Sequence, residues 1–123
     1  MELTKAEEQI MKVLWKLKKG LIRKVVDEYE EPKPAYTTVA TIMKILEKKG
    51  FVGKTPIANS FEYYPLISEQ DYTKGFLSRF VSKYFSNSYT SMISSLSENE
   101  NLSTQEIEEI ISIFQDQLNK KEQ

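Results

Sequence analysis

The segment AYTTVATIMKILEKKG, residues 35–50, places two kinds of side chain on opposite sides of one helix. At about 100° per residue, one side carries a polar stripe that consists of Thr37, Thr41, Lys44 and Lys48. The opposite side carries an apolar stripe of Val39, Ile42, Met43 and Leu46. The pattern predicts a helix over about 37–49 that packs on a core through its apolar stripe. Because Thr is a mediocre helix former, its repetition on the other side indicates a function for that side.

Two further helices are predicted before this segment. Thr4 and Glu7 have the spacing of a capping box, and the apolar residues after them predict a first helix over about 4–19 that ends at Gly20. A short second helix begins at Ile22 and ends before the proline-containing turn EEPKPA, residues 30–35.

Two β-prone runs follow the third helix, at residues 51–54 and 60–66, with turn residues between them. They predict a two-stranded hairpin. Three helices followed by such a hairpin, or wing, form the winged helix-turn-helix plan. The predicted fold is therefore mainly α, with a winged helix-turn-helix domain over residues 1–67 and a helical domain over residues 68–123.

The second domain has many large apolar residues, although about 55 residues make only a marginal core by themselves. Its predicted helices cover about 69–86, Tyr89–Leu96 and about 104–120, the last with a second capping box at Ser103 and Glu106. We expect two copies of the chain to associate through these helices, at Phe76, Phe80, Tyr84, Phe85, Tyr89, Ile107, Ile110, Ile111 and Phe114. The alternative is that this apolar set packs only on the chain's own winged-helix domain.

Composition limits the classes of function that the chain can have. Residues 1–67 carry 12 Lys and Arg against 9 Asp and Glu, a balance of +3, whereas residues 68–123 carry 5 against 9, a balance of −4. The first domain is therefore the one that suits a polyanion. The chain has no Cys and no His, which removes thiolate nucleophiles, thiolate metal sites, the usual general base and the commonest metal ligand. We expect no enzyme activity, no cofactor and no metal site. No apolar run approaches the length of a membrane span and no leader pattern is present, so we expect a cytoplasmic protein without membrane insertion.

The polar stripe has the chemistry of a surface that enters the major groove of DNA. A helix fits that groove, Thr contacts bases or phosphates, and Lys44 reaches a guanine edge or a phosphate. The stripe carries no carboxylate, and the wing adds Lys54, Thr55, Asn59 and Ser60 as donors to the phosphate backbone. The first two helices add weaker phosphate candidates, namely Lys12, Lys16, Arg23 and Lys24.

Two alternatives stay open from the residues alone. In the first, the polar stripe is an ordinary solvated face and Thr37 only caps the helix. In the second, the chain is a winged-helix protein-interaction module without DNA binding, since the same order of helices and hairpin builds such modules.

Three segments, LTKAEEQIMKVLWK (3–16), YTTVATIMKILEKKGFV (36–52) and FEYYPLIS (61–68), together resemble the penicillinase-repressor family of bacterial transcriptional regulators. LSTQEIEEI (102–110) is similar to the C-terminal dimerisation helix of that family. The resemblance covers nearly the whole chain and implies a homodimeric winged-helix repressor that binds an inverted repeat in double-stranded DNA. By position it implies that Thr37, Thr38, Thr41 and Lys44 face the groove and that Tyr36 donates to a phosphate.

The chain departs from the family pattern at three places. The wing tip reads TPIANS and has no arginine, where the family often has one. Some members are inactivated by a membrane sensor pathway that cuts an Asn–Phe bond before the last helix, but the matching position here is Ser95-Leu96. The copper-responsive branch has a C-terminal cysteine cluster, and this chain has no cysteine. The resemblance therefore implies a sensor protein only as a possible upstream partner and excludes copper sensing by that route.

Overall fold

In the computed structural model, which describes residues 2–123, the chain is mainly helical with one small antiparallel sheet. The helices are α1 (Lys5–Leu17), α2 (Ile22–Asp27), α3 (Tyr36–Lys48), α4 (Glu69–Phe85), α5 (Tyr89–Ser97) and α6 (Thr104–Lys121). The strands are β1 (Gly20–Leu21), β2 (Val52–Ile57) and β3 (Ser60–Pro65). The predicted fold, mainly α with a winged helix-turn-helix, is confirmed. No helix within the described residues is long and apolar enough to cross a membrane.

Contacts within the chain divide it into an N-terminal unit that ends at Leu77 and a C-terminal unit, Ser78–Gln123. This division falls inside α4, whereas the predicted domain boundary lies after residue 67. The assignment of residues 1–67 to DNA binding and of residues 68–123 to dimerisation concerns function, and it stays a prediction.

The N-terminal unit has a closed apolar core to which α1, α2, α3 and the sheet contribute. Its buried members are Ile10, Met11, Leu14, Val25, Val39, Met43, Leu46, Phe51, Val52, Tyr63 and Tyr72. Full burial of one large apolar side chain is worth about 1.5–3 kcal/mol. Val39, Met43 and Leu46 all belong to α3, so the core fixes which side of that helix is left exposed.

The predicted capping box is present at the start of α1. The Glu7 N–H donates to Thr4 Oγ1 at 3.2 Å, and the Thr4 N–H donates to Glu7 Oε1 at 2.8 Å. The same Glu7 carboxylate accepts from Lys49 Nζ, at 2.8 Å for both oxygens. Glu7 is only 4% exposed. This ion pair, in which Glu7 is buried and Lys49 is half-buried, joins the first turn of α1 to the residue that follows α3.

Gly50 ends α3 as predicted, in the left-handed conformation with φ 84°. The Phe51 N–H donates to the Leu46 carbonyl at 2.9 Å, and the Gly50 N–H donates to the Glu47 carbonyl at 3.1 Å. These two hydrogen bonds form a Schellman motif, in which a residue without Cβ is favoured at the left-handed position. The motif reverses the chain from α3 directly into the wing.

The wing is present, but the prediction of a two-stranded sheet is incomplete because the sheet has three strands in the order β1-β3-β2. Gly20 pairs with Tyr63 and Leu21 pairs with Glu62, antiparallel. The sequence predicts that α1 ends at Gly20, and this prediction is wrong. The helix ends at Leu17 and the strand begins at Gly20, because the chain there gains hydrogen bonds from β3.

The hairpin itself is longer than predicted. β2 extends through Thr55, Pro56 and Ile57, which the sequence places in the turn, and pairs with β3 up to Ile57 opposite Ser60. The turn is reduced to Ala58 and Asn59, and Ala58 has φ 52°. The wing is therefore a narrow hairpin with a tight tip.

The C-terminal unit consists of the end of α4 with α5 and α6. Ser88 Oγ accepts from the Ser91 N–H at 3.0 Å at the start of α5. Ser103 Oγ accepts from the Glu106 N–H at 3.1 Å at the start of α6, which is one of the two hydrogen bonds of the predicted second capping box. The helices thus begin at well-defined residues, although α5 and α6 contain no buried residue.

Candidate nucleic-acid interface

The polar stripe of α3 is exposed along its whole length. The exposed residues are Thr37, Thr41, Lys44 and Lys48, together with Thr38. On the opposite side of the helix Val39, Met43 and Leu46 are fully buried, and Ile42 is half-buried. Neither Lys44 nor Lys48 forms an ion pair with a carboxylate of residues 2–123. Five candidate residues therefore share one accessible surface, and the two lysines among them carry charges that are not paired with a carboxylate of the described residues.

Thr37 does not cap α3, so this part of that alternative is wrong, and the interpretation of the stripe as an ordinary solvated face stays open. The N-cap residue is Ala35, which has no side-chain oxygen, and Tyr36 is the first helical residue. No acidic residue lies in the first turn. The Thr41 hydroxyl donates to the Thr37 carbonyl at 3.0 Å, which leaves the Thr41 oxygen lone pairs facing outwards. The amide groups at the start of α3 and the Thr37 and Thr38 hydroxyls are thus available to an acceptor-rich partner, whereas the Thr41 hydroxyl can only accept a further hydrogen bond.

Ile45 lies beside the polar stripe and is not among the residues that the sequence indicates. It is 43% exposed and lies about 80° around the helix from Thr37. The signal was visible in the sequence, because Ile45 falls between the two stripes and not on the apolar one. An exposed aliphatic group next to Thr methyl groups is suited to contact with a thymine methyl.

A groove of about 430 Å³ runs between the start of α2, the start of α3 and the wing. Its lining consists of Leu21, Ile22, Arg23, Tyr36, Asn59, Ser60, Phe61 and Tyr63. Three residues predicted to contact DNA, Tyr36, Asn59 and Ser60, therefore lie around one concavity together with the weaker candidate Arg23. None of the lining residues is acidic. Burial raises the pKa of the Tyr63 phenol above its ordinary value, so this hydroxyl stays a neutral donor.

The other two wing candidates, Lys54 and Thr55, are both exposed but point to opposite faces of the hairpin, because side chains alternate along a strand. Lys54 Nζ lies 3.2 Å from Glu47 Oε2 and 3.3 Å from Glu47 Oε1. The same nitrogen lies 4.5 Å from the centre of the Phe61 ring. Lys54 is thus held between α3 and β3, a contact for which the sequence carries no periodic signal.

The weaker phosphate candidates are not equivalent. Lys12 lies 3.6 Å from Glu8, and Lys24 lies 3.8 Å from Glu28, both one helical turn apart. Arg23 and Lys16 form no such ion pair with any described residue. Arg23, at the edge of the groove, is the strongest of the four by position.

The residues predicted to form a dimer are largely exposed in the single chain. The exposed fractions are 36% to 63% for Phe76, Phe80, Tyr84, Tyr89, Ile107, Ile111 and Phe114, while Phe85 and Ile110 are half-buried. Phe80 has ring contacts with Tyr84 at 5.0 Å and with Phe85 at 5.9 Å between centroids. Leu118, at 49% exposed, extends the apolar line on α6.

A family model described as penicillinase repressor matches residues 3–116. The methicillin resistance regulatory protein MecI of Staphylococcus aureus is 31% identical over 121 residues, which cover 98% of this chain and 95% of the relative. The penicillinase repressor of Bacillus licheniformis is 28% identical over 123 residues, which cover 99% of this chain and 96% of the relative.

A solved structure, the DNA-binding domain of the repressor BlaI, is similar to the winged-helix part. It has 30% sequence identity and a TM-score of 0.51, and the match covers 58% of this chain and 88% of that domain. The family model and the two relatives extend over almost the full length of the chain. The chain therefore belongs to the penicillinase repressor family, as its sequence motifs predict.

Proposed function

We propose that this chain is a dimeric transcriptional repressor that binds an inverted repeat in double-stranded DNA. The observation that carries the proposal is the polar stripe of α3: exposed, free of carboxylates, and opposite three fully buried residues of the same helix. The names of the relatives, a penicillinase repressor and a methicillin resistance regulatory protein, support a repressor and not an enzyme. Access to the chromosome places the proposed activity in the bacterial cytoplasm.

Recognition divides into two parts in this proposal. α3 enters the major groove, where Thr37, Thr38 and Thr41 contact base edges or thymine methyls near the helix start. Lys44 and Lys48 contact a guanine edge or phosphates further along. The groove beside the wing holds the sugar-phosphate backbone, with Arg23, Tyr36, Asn59 and Ser60 as donors.

Dimerisation is proposed from the apolar residues that the C-terminal unit leaves exposed. On α6, Ile107, Ile111, Phe114 and Leu118 are spaced by four, three and four residues, which is the spacing of a helix–helix seam. Two copies related by a two-fold axis present two α3 helices to successive turns of one face of DNA, about 34–36 Å or a multiple of it apart. A palindromic operator follows from that symmetry, and repression follows from steric cover of a promoter.

The test is fluorescence anisotropy with labelled DNA that contains the inverted repeat upstream of the protein's own gene, and with a scrambled duplex, over a salt series. We expect tight binding to the repeat alone, two chains per site, and log affinity that falls linearly with log salt concentration. Equal weak binding to both duplexes, followed by failure to enrich any site from fragmented genomic DNA, would favour the protein-interaction module instead.

Lys44→Ala assigns the role of one stripe residue within the same experiment. If Lys44 contacts a base, we expect a loss of about 1–3 kcal/mol that is confined to the repeat. If it contacts a phosphate, affinity falls on both duplexes and the salt slope decreases by about one. Lys5→Ala, an exposed lysine at the start of α1, serves as the control. Unchanged affinity would remove Lys44 from the interface.

A further inference from the structure

The outer half of the wing has no buried residue to hold it. Val52 is the last buried residue of β2, and every residue from 54 to 61 is exposed. The direction of this part of the wing relative to α3 must therefore be set by surface contacts. The contact of Glu47 with Lys54 lies just beyond the core, where the hairpin begins to project.

Glu47 is unusual in its position. It is the only acidic residue in the sequence of α3, and it lies in the last turn, where the helix dipole favours cations. Its carboxylate is matched by Lys54 Nζ at 3.2 and 3.3 Å, from the neighbouring strand. Glu47 and Lys54 each keep 34% of the side chain exposed, so the pair is partly shielded from water.

Phe61 completes this contact from the second strand of the hairpin. Phe61 faces Pro56 in the strand register, two residues along from the Lys54–Tyr63 pair, so Lys54 and Phe61 lie on the same face of the wing. The ammonium group lies 4.5 Å from the ring centre, within the range of a cation–π interaction. One lysine thus links α3, β2 and β3.

We propose that Glu47, Lys54 and Phe61 form a strut that fixes the wing against α3, and that Glu47 and Lys54 are positioning residues for DNA recognition. This inference rests on the proposed function and removes Lys54 from the phosphate contacts that the sequence predicts for the wing. The charge of Lys54 is committed to Glu47, so Lys54 is not one of the phosphate contacts. The strut matters for the operator complex, in which α3 and the wing must fit at the same time, and not for loose binding to any duplex.

The test uses the full-length protein with Glu47→Gln, Lys54→Met and the double variant, on operator and scrambled DNA over a salt series. Methionine keeps the apolar stem against Phe61 and removes the charge. We expect each single variant to lose about three- to fivefold in affinity for the operator, the range for a partly exposed ion pair with a cation–π contact. We expect no change on scrambled DNA, an unchanged salt slope, and a double variant no worse than either single one.

A charge-swapped pair provides the rescue. The variant with both Glu47→Lys and Lys54→Glu keeps the net charge of the wild type and restores opposite charges at the two positions. We expect it to recover part of the operator affinity lost by Glu47→Gln, because the ion pair returns but the cation–π contact with Phe61 does not. A loss on both duplexes for Lys54→Met, with the salt slope reduced by about one, would instead make Lys54 a phosphate contact and overturn the strut. A gain in affinity for Glu47→Gln on both duplexes would overturn it as well.

A measurement without DNA separates this inference from the proposed function. Hydrogen exchange of the β2 and β3 amides of the free protein reports whether the wing is held. We expect faster exchange in the outer wing for Glu47→Gln and exchange between that of Glu47→Gln and that of the wild type for the charge-swapped variant, with α1 unchanged in both. Faster exchange together with no operator binding by the wild type would support the strut and reject the repressor. Unchanged exchange would reject the strut whatever the protein binds.

Discussion

The two units of the chain treat their apolar side chains in opposite ways. Among residues 2–123, nine large side chains are less than 2% exposed; eight of them belong to the N-terminal unit, and Val81 alone belongs to the C-terminal unit. The N-terminal unit closes its own core and leaves polar groups of α3 on the surface. The C-terminal unit leaves Tyr84, Ile111 and Phe114 more than half exposed. The difference teaches that one unit buries its large apolar side chains within itself, whereas the other leaves most of its own exposed.

The physical reason lies in the kinds of contact available. The N-terminal unit combines three helices with a sheet, and distant segments of the chain are tied together by polar contacts. Trp15 Nε1 donates to the Ile67 carbonyl at 2.9 Å, and the Leu3 N–H donates to the Tyr72 hydroxyl at 3.1 Å. The hydrogen bonds that begin α5 and α6 are local, within three residues. Local bonds define helices but do not pack them.

The largest expected effect is the loss of a core side chain in the N-terminal unit. Leu14→Ala removes a fully buried side chain and should lower the free energy of unfolding by about 2–5 kcal/mol, because a cavity is left behind. Trp15 is the single tryptophan of the chain, so its fluorescence during urea unfolding reports on this unit. Leu66→Ala, at a 55% exposed position, is the control and should stay within about 0.5 kcal/mol. Equal losses would contradict a closed core.

Loss of the ion pair between Glu7 and Lys49 should have the next largest effect on the free energy of unfolding. Glu7→Ala removes the partner of Lys49 and one half of the capping box, and should lower the free energy of unfolding by about 3 kcal/mol. Glu8→Ala breaks only an exposed pair in the same helix turn and should cost about 0.3–0.5 kcal/mol. Thermal unfolding of both variants measures the two losses in stability and so checks their ratio. A Glu7→Ala loss as small as that of Glu8→Ala would mean that water replaces the Glu7 carboxylate beside Lys49 without cost.

Low pH should weaken the ion pair between Glu7 and Lys49. Burial works to raise the pKa of Glu7, but the hydrogen bonds from Lys49 and Thr4 and the charge of Lys49 outweigh it, so the pKa lies below the ordinary value of 4.5. The stabilisation is thus fully present above pH 4.5 and is lost as the pH falls through the lowered pKa. The difference in unfolding free energy between wild type and Glu7→Gln should shrink over that range. A constant difference down to pH 2–3 would contradict the assignment.

In the C-terminal unit, substitutions should change association before they change folding. Ile111→Ser should weaken the proposed dimer by about 2 kcal/mol per protomer, and the loss should depend on protein concentration. Ile113→Ser is the matched control, because Ile113 is 59% exposed against 61% for Ile111 but lies about 200° away around α6. Sedimentation equilibrium measures both. Equal effects would contradict a seam along Ile107, Ile111 and Phe114.

The smallest effect is expected for one hydrogen bond between the first residues of the chain and α4. Tyr72→Phe removes the hydroxyl that accepts from the Leu3 N–H and keeps the ring in the core. The expected loss is about 1 kcal/mol, detected by Trp15 fluorescence because the two rings lie 5.9 Å apart. A loss above about 3 kcal/mol would indicate that the hydroxyl organises more than this bond.

Much of the fold could be predicted because its signals are local. The helix α3, its end at Gly50 and the capping box at Thr4 depend on residues within one or two turns of each other. β1 could not be predicted, because two residues show no periodicity and their partners lie about forty positions away. Pairing with Tyr63 and Glu62 changes Gly20 from a helix terminator into a strand residue. Non-local hydrogen bonds decided the assignment.

The features of the candidate site likewise divide into those with a local sequence signal and those that depend on contacts between distant residues. The exposure of Thr37, Thr41 and Lys44 follows from the helical period alone. The commitment of Lys54 to Glu47 does not, because it depends on how the hairpin leaves α3, and the periodic position of Glu47 places it to one side of the stripe. The roles of all these residues toward DNA stay predictions until binding is measured.

The sheet has one further consequence, for behaviour at high concentration. β2 is an edge strand, and exposed edges can recruit strands from other molecules. Here Pro56 lacks a backbone N–H, Lys54 adds a charge, and the opposite edge strand, β1, has only two residues. Both edges are therefore poor templates for intermolecular strand pairing. The hairpin can thus project into solvent without offering an edge for aggregation.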